Sequence, residues 1–204
     1  MSRRREVLLG AGWAAALSGL GLGALQGESA AAAGSGAAPA SGAAKPVATT
    51  GGKVHNIWWL HDGTNKRFAI IGEEGPATLF TSSSGDIHVV DISNLAAMRE
   101  VAFLNVPGAG THNFSVDEAN GYLYAAYYNG GVQVLDVRGD LATCAANQRA
   151  ADGRCDLRLM GRLKAVGLLD QNAPVFIWGV HFTGGSLYAS DMINGIWKLT
   201  PLTR

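Results

Sequence analysis

Gly85-Asp86-Ile87-His88-Val89-Val90-Asp91-Ile92 and Gly130-Gly131-Val132-Gln133-Val134-Leu135-Asp136-Val137 follow one pattern: a glycine, alternating apolar positions, and an aspartate just before the last apolar residue. On either side of these runs, Gly121-Tyr122-Leu123-Tyr124-Ala125 returns as Gly185-Ser186-Leu187-Tyr188-Ala189, and Gly131-Val132 returns as Gly195-Ile196. Val54-His55-Asn56-Ile57 pairs in the same way with Thr111-His112-Asn113-Phe114. Repetition at this spacing marks an architecture in which each copy buries its apolar face against the next. The runs are rich in Val, Ile, Tyr, Phe and Trp, and Asn120-Gly121, Asn129-Gly130-Gly131, Gly184-Gly185 and Asn194-Gly195 punctuate them. Such dipeptides supply the positive backbone angles of tight hairpins, so each unit is expected to be an up-and-down antiparallel meander.

The expected fold is all-β: about three four-stranded antiparallel blades, at 54–106, 111–166 and 175–200, forming an incomplete propeller-like array within 54–204. Unit one places strands at 54–60, 67–72, 86–92 and 99–106, with 73–85 as an enlarged loop. Unit two places them at 112–116, 122–128, 132–137 and, after a polar loop, 158–166. Unit three has 175–182, 186–192 and 196–199, and stops one strand short. Only 95–99 reads as a helical turn within this region. A β-sandwich or short solenoid built from the same strands is the competing architecture.

The Gly-x-Ile/Val-x-Val-Val/Leu-Asp-Ile/Val run at 85–92 and 130–137 resembles the LVIVD repeat of exported bacterial β-propellers, over roughly Val54 to Leu202. The resemblance implies a fold and a compartment rather than one reaction. Closed propellers have about four to eight blades, so three units with one strand missing leave blade edges open. The expectation is therefore a truncated or internally deleted relative of a longer propeller, or a protomer that self-associates through those edges.

The first 33 residues read as a twin-arginine-type signal peptide. Arg3, Arg4 and Arg5 form a basic start, Arg4-Arg5-Glu6-Val7-Leu8 fits the export pattern, and Val7 to Leu25 carry no charge. Small residues at Ser29-Ala30-Ala31 and Ala31-Ala32-Ala33 offer cleavage sites, which would start the mature chain near Gly34. Retention as an anchor is the competing reading, but the glycines between Gly10 and Gly23 suit a lipid-embedded helix poorly. No stable membrane span is expected after cleavage, and the location is periplasmic or secreted. Residues 34–53, nearly all Ala, Gly, Ser, Thr and Pro, read as a disordered linker.

In an oxidising compartment the two cysteines, Cys144 and Cys155, suit a disulfide that closes the polar loop between them and stabilises by about 3 kcal/mol. Unpaired thiols are the alternative. The 16 basic and 16 acidic residues balance, so there is no electrostatic footprint for nucleic acid.

Among the five histidines, His55 and His112 occupy equivalent positions at the start of their units, each followed by an asparagine, Asn56 and Asn113. In a propeller that strand lines the channel, where imidazoles could bind a divalent metal or polarise a carbonyl. Unit three has Phe176 in the aligned place, and the plainer reading is that each His-Asn pair ties strand to loop. Glu73 and Glu74 could act as acid and base or join a cation site, against the simpler alternative of a solvated turn. Asp91 and Asp136 read as structural acceptors for turn N–H groups. Trp58, Tyr127 and Trp178 are candidate ligand platforms, with core packing as their default.

No phosphate loop, Gly-x-Ser-x-Gly elbow, Cys-x-x-Cys or His-Glu-x-x-His occurs in the chain. No catalytic residue is assigned and the sequence requires no cofactor. It reads as a non-catalytic binding or scaffold module of the cell envelope. The competing readings are a propeller-type enzyme or metal-binding protein with a histidine site at the channel, and a truncated product without activity.

Overall fold

The computed structural model describes residues 54–61, 63–75, 77–78, 81–82, 84–168 and 174–203. The signal segment 1–33 and the linker 34–53 lie outside the described residues.

The described residues are all-β, with three short 3-10 turns and no α-helix. In chain order the strands are β1 (Val54–Trp59), β2 (Phe68–Glu73), β3 (Ala77–Thr78), β4 (Thr81–Ser82), β5 (Ile87–Asp91), β6 (Arg99–Leu104) and β7 (Phe114–Asp117). They continue as β8 (Tyr122–Ala126), β9 (Val132–Asp136), β10 (Cys155–Asp156), β11 (Leu163–Gly167), β12 (Ile177–Thr183), β13 (Ser186–Asp191) and β14 (Gly195–Leu199). They form a first sheet β1-β2-β5-β6-β10, a second β11-β9-β8-β7, a third β12-β13-β14, and the small hairpin β3-β4. Every pairing is antiparallel except β10 on β6. The hairpin glycines Gly121, Gly131 and Gly195 have φ of +64°, +73° and +92°, the left-handed region that Asn-Gly and Gly-Gly turns require.

Strand alternation explains the packing. Leu123, Ala125 and Leu135 of the second sheet share one core with Phe68, Ile70, Ile87, Val89 and Leu104 of the first. Tyr122, Tyr124, Ala126, Val132 and Val134, at the intervening positions, share another core with Ile177, Val180, Leu187 and Ala189 of the third. The middle strands β8 and β9 are thus buried on both faces. Gly72 lets the second sheet pack tightly on the first: a Cβ there would meet the Phe114 ring at 2.7 Å.

Three features differ from expectation. Besides the expected turn at Leu95–Ala97, 3-10 turns form at Gly63–Arg67 and Ala146–Gln148. The 73–85 loop contains the β3-β4 hairpin. The polar loop after β9, closed by the Cys144–Cys155 disulfide, reaches back to the first sheet and adds β10 beside β6, with Leu157 N–H donating to the Phe103 carbonyl at 2.9 Å. The strand following that loop consequently starts at Leu163 rather than 158. Among the described residues, no helix is long and apolar enough to cross a membrane.

Candidate functional site

The site forms where the first strands of the three sheets come together, and β-bulges aim its residues. Val54 opposes Glu73 while Asn56 opposes Gly72, so His55 is the extra residue of a bulge in β1. Ile177 opposes Asp191 while Gly179 opposes Ser190, which makes Trp178 the equivalent extra residue in β12. A bulge frees a side chain from strand alternation and re-aims it. Here both residues turn toward His112, whose N–H donates to the Ala126 carbonyl at 2.8 Å just ahead of β7. The rings of His55 and His112 lie 3.8 Å apart, and Trp178 lies 4.7 Å from His112.

Glu74 completes the cluster. One of its oxygens pairs with His55 Nδ1 at 3.0 Å, and the other accepts the Tyr128 hydroxyl in a short hydrogen bond. Tyr128 is held with φ of +39°, an uncommon conformation for a residue with a Cβ that costs on the order of 1–3 kcal/mol. Two backbone hydrogen bonds to Ile177, at 3.0 and 2.9 Å, keep it there, and its ring packs on Phe176 at 4.5 Å. Burial and the Glu74 carboxylate both push the Tyr128 phenol well above its ordinary range. Burial, then the neighbouring His55, hold His112 below the ordinary imidazole value, while Glu74 and the Trp178 backbone oppose that shift. His112 is only 4% exposed, and its Nδ1 finds no hydrogen-bond partner among the described residues.

Donor atoms of His55, Glu74 and His112 all lie within 4.8 Å of one another. Ligands around one ion at bond lengths of about 2.0–2.2 Å stand roughly 3–4 Å apart, so a small rotation suffices. The His55 and Glu74 side chains, each about one-third exposed, have room to make it.

The two repeat-related asparagines meet directly, Asn56 Nδ2 donating to Asn113 Oδ1 at 3.3 Å, and they tie the first two sheets together beside the histidines. Glu73 and Glu74 do not act as a pair. Adjacent residues of an extended chain point to opposite sides, and Glu73 turns to the other face of the first sheet. There its Oε2 lies 3.1 Å from His88 Nε2 while Glu100 Oε1 lies 2.8 Å from His88 Nδ1. Arg154, carried by the disulfide loop, closes this second cluster on Glu100 and stacks over the Phe103 ring at 4.5 Å. Both nitrogens of His88 face carboxylates, so only the imidazolium donates to both. Burial lowers its affinity for a proton, but Glu100 and Glu73 together outweigh that and raise it.

Asp91 and Asp136 accept the Ser93 and Arg138 backbone N–H groups at 3.0 and 3.1 Å. Asp191, which lies outside the repeated motif, does more of this work: it accepts from the N–H groups of Phe176 and Ile193 and from Trp197 Nε1. Of the three candidate platforms, Trp178 reaches the site. Tyr127 is core, its hydroxyl donating to the Leu104 carbonyl, and Trp58 donates to Glu118.

No protein-family model matches the chain, and a search of the curated proteins returned no match.

Proposed function

We propose that this chain is an exported, β-propeller-type binding protein whose ligand is a divalent transition-metal ion held by His55, Glu74 and His112. The observation that carries the proposal is the convergence of these three donors, with a buried His112 nitrogen left unpartnered. A buried polar atom without a partner costs about 1–3 kcal/mol, and coordination would recover that. Two imidazoles and one carboxylate suit zinc and its first-row neighbours, whereas calcium and magnesium favour all-oxygen cages. Tyr128, fixed on the second Glu74 oxygen, is the outer-sphere partner that metal-bound carboxylates commonly have. His112, held neutral to lower pH than an ordinary histidine, is ready as a ligand near neutrality. The repeat at 85–92 and 130–137 and the face-to-face sheets support the propeller reading, and Arg4-Arg5-Glu6-Val7-Leu8 supports export.

The test is calorimetric titration of chelator-treated full-length protein with zinc, together with metal analysis. One ion per chain is expected. Losing an outer-sphere partner costs about 10–100-fold in affinity, so His55→Ala and His112→Ala should each cost more than a hundredfold. Absence of saturable zinc binding, or binding indifferent to both changes, would refute the proposal.

A further inference from the structure

We infer that the metal-bearing site accepts a second, organic ligand: a monocarboxylate with a flat apolar body, its carboxylate on the ion and its body against Trp178. The inference rests on the metal reading above. Three protein donors leave at least one coordination position open on an ion that takes four or five ligands. Neutral imidazoles and one carboxylate leave a divalent ion with a residual charge of about +1, which one negative group neutralises.

Among the described residues, no lysine or arginine pairs with His55, Glu74, His112 or Tyr128. Glu74 pairs with His55 and accepts from Tyr128, and His112 packs against His55, Tyr128 and Trp178. A phosphate-type dianion would therefore find the ion and nothing else, whereas such ligands are ordinarily met by Arg or Lys. The wall beside the ion is aromatic. Trp178 is 42% exposed although Phe176 and Tyr128 beside it are buried. It is held edge-on to Tyr128 at 88° and against His112. The bulge in β12 is what leaves this indole in the open next to the donors. A large aromatic group exposed at the rim of a polar site is a stacking surface for an apolar body, worth up to about tenfold in affinity.

The experiment uses full-length protein loaded with cobalt(II), read by its visible absorption, with acetate, benzoate and phosphate as probes. Benzoate is expected to shift the cobalt band and bind about tenfold more tightly than acetate, with phosphate no better than acetate. Trp178→Ala should abolish the benzoate preference while leaving cobalt affinity within about twofold, and Trp178→Phe should keep part of the preference. Cobalt binding with equal response to benzoate and acetate, or a preference that survives Trp178→Ala, overturns this inference and leaves the metal reading intact. A protein that takes up no cobalt overturns both.

Discussion

Glu73 and Glu74 are neighbours in sequence and belong to two histidine clusters of opposite character. Glu73, His88, Glu100 and Arg154 make a closed set: His88 is fully buried, both of its nitrogens are engaged, and an arginine balances the second carboxylate. Glu74, His55, His112 and Tyr128 make an open one, with partly exposed side chains, an unpartnered buried nitrogen and a residue in a strained conformation. The same residue types thus serve stability in one place and, in the proposed function, ligand capture in the other. What separates them is whether the buried histidine is already engaged: His88 meets a carboxylate at each nitrogen, although Glu73 Oε1 is left unpartnered, whereas His112 Nδ1 has no partner among the described residues.

The two clusters should differ most at His88. Removing it leaves two buried carboxylates without the cation between them, and breaking a buried charge set typically costs about 3–5 kcal/mol. His88→Ala should lower the free energy of unfolding by that much while the folded fraction still binds one zinc. A loss of zinc binding from folded His88→Ala protein would erase the distinction between the clusters. Next in size is the Cys144–Cys155 link, which anchors the loop that carries Arg154. Replacing both cysteines with serine should cost about 3 kcal/mol in urea unfolding.

The pH dependence sharpens the contrast. The His88 value is raised, so its contribution is complete below the ordinary 6.5 and disappears as pH climbs through the raised value. Burial alone would raise Glu100, but His88 and Arg154 outweigh it and lower the value, so its contribution holds above the ordinary 4.5 and disappears as pH falls through the lowered value. The contribution of this cluster should therefore be greatest between about pH 4.5 and 6.5, and His88→Ala should remove the part of the stability that metal-free protein loses above that window. The smallest effect belongs to the open cluster. His55→Ala, at a partly exposed bulge, should change metal-free stability by no more than about 0.5 kcal/mol. It should also abolish the gain of about 2.7 kcal/mol expected when zinc is supplied at a hundred times its Kd.

Much of this was legible in the sequence because it depends on local rules. The alternation in Val132 to Asp136 and the Asn-Gly and Gly-Gly turns identify the antiparallel strands, and aligning Val54-His55-Asn56 with Thr111-His112-Asn113 brings together the histidines and asparagines that meet in space. The split of Glu73 from Glu74 was in principle readable too, from the two-residue period of the strand they end. Other parts depend on distant contacts. Tyr128 owes its left-handed backbone to hydrogen bonds with Ile177 in another sheet, and no local signal marks it. His88 sits inside a repeat motif and reads as an ordinary strand position until Arg154 arrives from the disulfide loop. The parallel pairing of β10 is equally invisible, because its partner β6 lies in a different unit.

That last pairing sets how the molecule comes apart. In a stack of repeats, each unit ordinarily holds its neighbour only across their faces and can peel away from an end. Here a segment issuing from the second sheet is stitched along the rim of the first, so these two must melt as a block. The third is tied to the second by the Tyr128–Ile177 bridge at β12, but its outer strand β14 is largely exposed, so the backbone amides of β14 should exchange with solvent well before those of β5 and β8.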